Sequence, residues 1–158
     1  MKLAVKNLAF WSLMCLTPLS YAQNKKTQQV SKTDAVSEHR VGVASFYHPK
    51  FEGRKTANGE IFDNELYTCA SNHYPLGTYL KVTNLANGKV VYVKVNDRMG
   101  HESRVIDLTE LAARNLNFIA RGTTKVKLEK VTNEEGRNKI FAQNNSQNSN
   151  TKQGKNEL

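Results

Sequence analysis

Asp97 has the strongest claim to chemistry in this chain. It lies in Val95-Asn96-Asp97-Arg98, between an amide and a guanidinium, directly after Val90-Val91-Tyr92-Val93-Lys94, a run rich in β-branched and aromatic residues. A carboxylate at the end of a rigid strand is better held than one on a loose loop, and a held carboxylate can give or take a proton. The plainer alternative for Asp97 is an ion pair with Arg98 or a turn cap. Glu60 is a second carboxylate, but behind Asn58-Gly59 it reads first as a solvated turn residue. His39, His48, His73 and His101 lack the spacing of metal ligands, so no metal is expected. Cys69 reads as a small buried hydrophobe.

The elements that must position Asp97 are legible around it. Asn87-Gly88 separates Leu80-Lys81-Val82-Thr83 from the Val90 run, a hairpin signal that predicts a type I′ turn with positive φ at both central residues. Val41 to Tyr47 alternates as a first strand, with Val41, Val43, Ser45 and Tyr47 on one face and Ala44 and Phe46 on the other. His48 to Asn64 is a long loop that Phe51, Ile61 and Phe62 should pack in part. Short strands are expected at 67–70, 104–108 and 124–131. A helix from about Glu110 to Asn117 would be capped by Thr109 or Asp107. Many short strands with one short helix predict a small closed barrel of roughly ninety residues, since closure removes exposed edges.

The ends read differently. Residues 1–22 have the pattern of a secretory signal: Lys2 and Lys6, an apolar run from Leu8 to Leu16, Pro18, then small residues Ser20 and Ala22. The apolar run is too short to span a bilayer. Bulky Leu13 and Met14 before Cys15 argue against lipidation there. After cleavage Cys69 would stand alone, and export without disulfides fits a bacterial periplasm or envelope. Residues 23–40 read as a flexible linker, 41–131 as the domain, and 132–158 as a disordered polar tail. The net charge of +9 is spread along the chain and suits an encounter with anionic polymers such as the cell wall. An export signal and the lack of a basic helical stripe argue against nucleic acid.

Several ordered blocks carry a family resemblance: Gly42-Val43-Ala44-Ser45-Phe46-Tyr47, Thr56-Ala57-Asn58-Gly59-Glu60-Ile61-Phe62-Asp63, Pro75-Leu76-Gly77-Thr78, Val95-Asn96-Asp97-Arg98, and Ile106-Asp107-Leu108-Thr109. Over residues 41–131 the chain resembles the rare lipoprotein A (RlpA) family, whose domain is a double-psi β-barrel. The resemblance implies a mainly β, six-stranded double-psi barrel with one or two short helices between disordered termini. It implies an endolytic lytic transglycosylase that cuts the β-1,4 bond between N-acetylmuramic acid and N-acetylglucosamine and leaves a 1,6-anhydro end. The partner would be peptidoglycan glycan strands, with no cofactor, and the protein a monomer.

Carried over residue by residue, the resemblance makes Asp97 the catalytic acid, with Glu60 also implicated in activity. Tyr47, Phe46, Thr56, Ser71, His73 and Arg98 are the candidate substrate-binding residues. Of Phe46 and Tyr47, alternation lets at most one meet substrate. Two departures stand out: the family's histidine before the Pro-Leu turn is Ser71 here, with His73 nearest, and the glycine after Asp-Arg is Met99, followed by Gly100. These favour an alternative, a non-catalytic expansin-like wall-binding module. A small inhibitor or interaction domain is a third reading. No stretch matches the peptidoglycan-binding repeat frequent at the family's C-terminus.

Overall fold

The computed structural model describes residues 39–153; the expected signal, most of the linker and the last five residues lie outside them. Six strands form β1 (His39–Phe46), β2 (Thr68–Ala70), β3 (Tyr79–Asn84), β4 (Val90–Asp97), β5 (Ile106–Leu108) and β6 (Thr124–Val131). They close into a barrel in the order β1-β5-β2-β4-β3-β6, with β6 pairing back onto β1. The β1–β5 and β2–β4 pairs are parallel and the others antiparallel. This is the six-stranded double-psi barrel that the sequence blocks imply.

Period-two alternation builds the interior. Leu80 and Val82 of β3, Val91, Val93 and Val95 of β4, Ile106 and Leu108 of β5, and Val126 and Leu128 of β6 are all essentially inaccessible to solvent. Each such side chain contributes about 1.5–3 kcal/mol relative to exposure. Helix α1 (Glu110–Asn115) closes one end with Leu111, Ala112 and Ala113, followed by Leu116 and Phe118. Phe46 stacks edge-on against Phe118 at 5.8 Å. Thr109 precedes α1 without capping it; its hydroxyl instead donates to the Leu66 carbonyl at 2.6 Å, while Asp107 is engaged by Arg104.

The hairpin is present, but its turn is not the expected one. Gly88 has φ of 73°, and Asn87 is not in the left-handed region. The loop is longer than a two-residue turn, because Gly88 N–H donates to Asn84 O and Asn84 N–H to Lys89 O. Asn84 Oδ1 accepts from Ala86 N–H and so stabilises the reversal from its own side chain. Strand β1 begins two residues earlier than the linker boundary implied, because β6 is long enough to pair His39 and Arg40 with Glu129 and Leu128.

The larger difference is at the C-terminal side. Where a disordered tail was expected from Thr132, helix α2 runs over Asn133–Gln153. Strand β2 is only three residues long and pairs with β4 from Lys94 onward, which leaves the Val90–Val93 edge of β4 without a strand beside it. Gln143 fills that gap: its Oε1 accepts from Tyr92 N–H at 2.7 Å, and its Nε2 donates to Tyr92 O at 3.0 Å. Ile140 packs against the core, and Gly136 lies so close to Tyr79 that a Cβ would approach it to 2.3 Å. Composition alone predicts too little apolar surface for order; a side-chain amide that completes an uncovered strand edge supplies the missing stabilisation. Among the described residues, no helix is long and apolar enough to cross a membrane.

Candidate functional site

A register shift between Cys69 and Ala70 of β2 sets up the site. Cys69 pairs with Val95 and Ala70 with Asp97, so Asn96 is an extra residue, a β-bulge. Regular alternation after Val91, Val93 and Val95 would send Asp97 into the barrel. The bulge breaks that alternation and re-aims the carboxylate to the rim. Asp97 is half-buried there and borders an open groove of about 440 Å³.

Both carboxylate oxygens are held. Asp97 Oδ2 accepts from the Tyr47 hydroxyl at 2.7 Å. Oδ1 accepts from the backbone N–H groups of Ala57 and Arg98, each at 2.8 Å. All three donors are neutral, and among the described residues no ion pair reaches Asp97. The Arg98 guanidinium turns elsewhere, donating to the carbonyls of Ser71 at 2.6 Å and Tyr74 at 3.0 Å. It pins the 71–74 loop while still bordering the groove, so an Asp97–Arg98 ion pair is not what the structure contains.

Tyr47 is fixed between Phe62, at 4.4 Å between ring centroids, and Phe51, at 5.8 Å. Burial, then the hydrogen bond to Asp97 and its charge, push the Tyr47 phenol far above its ordinary range, which keeps it a donor. The loop carrying Phe62 is itself a small hairpin. It is closed by a bridge between Lys55 and Ile61, and Asn58 N–H donates to Asn96 O at 3.1 Å. Phe62 is buried, whereas Ile61 is exposed.

The other predicted site residues separate. Phe46 borders the groove beside Tyr47, although part of its ring belongs to the core contact with Phe118. Thr56 is buried, and its hydroxyl bonds Asn58 Oδ1 at 2.7 Å and Glu60 O at 3.0 Å, so it shapes the loop rather than facing the groove. Ser71 is fully buried: its Oγ donates to Val105 O at 2.9 Å and accepts from His73 N–H at 3.3 Å. It cannot touch a glycan. The His73 side chain is exposed outside the groove, with its imidazole pKa lowered by burial and by Arg40.

Glu60 faces a different cleft. Its Oε1 accepts from Lys94 Nζ at 2.6 Å and its Oε2 from Asn96 Nδ2 at 3.1 Å. The hydrogen bond from Lys94, followed by that from Asn96, holds its carboxyl below the usual glutamate range. It lies beside Tyr79, Arg137 and Phe141, not in the groove of Asp97. The two carboxylates are linked only through the 56–60 loop and the neighbouring residues Asn96 and Asp97.

Of the remaining groove residues only Met99, the departure after Asp-Arg, carried a signal as a site residue. His48, Met99, His101 and Arg104 border it from loops, and Lys50 from a single 3-10 turn, Pro49–Phe51. Met99 is nearly buried and is fixed by a reciprocal pair of bonds with the Asn72 amide. Arg104 binds Asp107 through Nε at 2.8 Å and a terminal nitrogen at 3.0 Å, a bidentate pair on the groove wall. Ala70 pairs with both Asp97 and Asp107, so these two carboxylates stand two strands apart across the site. A run of alternating strand residues could have revealed Asp107; the loop residues have no periodicity to find. Cys69 is buried, and burial pushes its thiol up, away from reactivity.

The family model DPBB_1, described as "Lytic transglycolase", matches residues 39–128. An endolytic peptidoglycan transglycosylase RlpA of Pasteurella multocida is 47% identical over 102 residues, covering 64% of this chain and 34% of the relative. Its counterpart from Pseudomonas aeruginosa UCBPP-PA14 is 48% identical over 97 residues, covering 61% and 28%. A solved expansin from Clavibacter michiganensis is 24% identical, with a TM-score of 0.45 over 60% of this chain and 50% of that one. The chain spans less than half the length of the curated relatives it matches. With the family model covering the barrel from its first strand into its last, this chain belongs to the RlpA-type double-psi family of lytic transglycosylases.

Proposed function

We propose that this chain is an endolytic lytic transglycosylase of the bacterial envelope, acting on peptidoglycan glycan strands at the β-1,4 bond between N-acetylmuramic acid and N-acetylglucosamine. The observation that carries this reading is Asp97. It is a rim carboxylate with neutral donors on both oxygens and, among the described residues, no ion-pair partner, and it borders an open groove.

The chemistry needs one such group. Protonated Asp97 gives its proton to the glycosidic oxygen as the bond to the muramic C1 breaks. The resulting carboxylate takes the proton of that sugar's own C6 hydroxyl, whose oxygen closes on C1 to make the 1,6-anhydro ring. Because the nucleophile is internal, no water has to be activated by an opposed carboxylate, as an inverting hydrolase requires. Tyr47, Ala57 N–H and Arg98 N–H keep Asp97 in one orientation through both proton transfers. The Arg98 side chain holds the adjacent loop, and Phe46 with Tyr47 offers ring surface at the groove.

The purified chain should release anhydro-muropeptides from sacculi, and Asp97→Asn should slow release by roughly 10²–10⁴-fold. Mass spectrometry of the soluble products decides it; an undiminished rate in Asp97→Asn would remove the assignment. A non-catalytic wall-binding module is the second reading. It is favoured by the buried, non-titrating Ser71 where the family commonly has a histidine. That reading requires sacculus binding without soluble product, unchanged in Asp97→Asn.

A further inference from the structure

Helix α2 is seated by one set of residues and leaves another set unused. Gly136, Ile140, Gln143 and Gln147, spaced as successive turns of one face, rest on Tyr79, the core, Tyr92 and Asn115. The adjacent stripe of Arg137, Phe141 and Asn144 looks into a cleft of about 460 Å³ between the helix and the barrel, whose far side carries Glu60 and Lys94. Phe141 is 67% exposed, an apolar ring left in water on a helix otherwise dominated by polar residues. The Arg137 side chain is exposed and has no hydrogen bond or ion pair among the described residues.

We propose that this cleft is a second glycan subsite, in which the Phe141 ring stacks on a sugar face while Arg137, Asn144 and Glu60 hydrogen-bond its hydroxyl and acetamido groups. The proposal rests on the glycan-cleaving reading and extends it. An exposed aromatic face flanked by donors and a carboxylate suits an amphipathic ring with apolar C–H faces and polar edges, and fits a wholly apolar ligand poorly.

The occupant is a strand continuing from the Asp97 groove, because one short loop bonds the acid that borders the groove and carries Glu60, which borders the cleft. Ala57 N–H holds Asp97, and three residues later Glu60 faces the cleft and bonds Asn96, the neighbour of Asp97 on β4. Glu60 and Lys94 lie within residues 39–128, which the family model matches, whereas Arg137, Phe141 and Asn144 lie beyond them on α2.

The test uses the full chain carrying Asp97→Asn, titrated calorimetrically with peptide-free glycan oligomers of increasing length. Affinity should rise in a step once the oligomer is long enough to reach from the groove to the cleft. Phe141→Ala and Arg137→Ala should each remove most of that step, about tenfold in Kd for long oligomers, and leave the shortest binders unchanged. Both side chains are exposed, so an unchanged melting temperature is expected and is checked alongside. Equal affinity at all lengths, an equal loss at all lengths, tighter binding in the variants, or no binding of any oligomer would each overturn the subsite. Its failure differs from failure of the catalytic reading, which is judged by soluble anhydro products from the parent chain.

Discussion

The Tyr47 hydroxyl donates a 2.7 Å hydrogen bond to Oδ2 of Asp97 across fifty residues of sequence. The first strand is thereby coupled to the end of the fourth, and the orientation of the acid depends on a residue that never needs to touch the scissile bond. Tyr47→Phe keeps the ring contacts with Phe51 and Phe62 and deletes only the hydroxyl. A hydrogen bond to a charged group contributes about 1.5–3 kcal/mol, so the turnover rate on sacculi should fall by roughly 10–100-fold with KM little changed. A rise in KM at constant kcat would make Tyr47 a substrate contact instead.

Glu60 supplies a pH prediction. Its folded pKa lies below the ordinary value of 4.5 because Lys94, and then Asn96, hydrogen-bond its charged form. A depressed carboxylate stabilises the fold in full above the unfolded value, and that contribution is lost as pH falls through the lowered folded value. Lys94→Met should therefore raise the Glu60 titration midpoint measured by NMR and flatten the acid limb of the stability curve. Both side chains are substantially exposed, at 31% and 44%, so screening keeps the stability effect small. An unmoved midpoint would assign the shift to other neighbours.

Ser71 is predicted to matter for stability and not for turnover. Ser71→Ala leaves Val105 O without its 2.9 Å donor, at a cost of about 1 kcal/mol, or a melting temperature lower by about 2–8 °C. The rate per folded molecule should stay within about twofold of the parent, since the side chain is buried away from the groove. Lost activity at an unchanged melting temperature would contradict this placement.

The seating of α2 can be read at a single amide. Gln143→Ala removes the acceptor of Tyr92 N–H, and hydrogen exchange at that amide should accelerate by about tenfold or more while Val93 and Val95 stay protected. Gly136→Val, which would force a side chain into Tyr79, should produce the same local signature by lifting the helix. Unaltered protection at Tyr92 in both variants would mean that the helix does not cover this edge in solution.

Local pattern made the barrel readable. The valines of β4 alternate as a half-buried strand must, the hairpin was marked by Asn87-Gly88, and the carboxylate at the strand's end follows from the same stretch. What escaped reading depends on partners distant in the chain. The turn took a longer form because Asn84 bonds its own loop, a preference that competes with Asn87 adopting positive φ. Helix α2 looked like disorder because its stabilisation comes from Gln143 on an edge that exists only once β2 stops short. Glu60 joins Asp97 through the resemblance alone, and which wall of the loop its side chain faces is set by Lys94 and Asn96, partners distant in the chain. Ser71 and Thr56, polar in type, proved to be interior fasteners.

The extra residue at Asn96 sets a parity on the whole design. Without it the ladder would be regular, with Asp97 directly after Val95, still opposite Ala70 and on the outward face; what would go is the Asn96 carbonyl that accepts from Asn58 N–H and the amide that donates to Glu60. A single-codon loss at that point should therefore leave a folded barrel whose 56–60 loop has lost its anchor, and with it the firm hold of Ala57 N–H on the acid. The one surplus residue thus tethers the neighbouring loop as well as turning the acid outward.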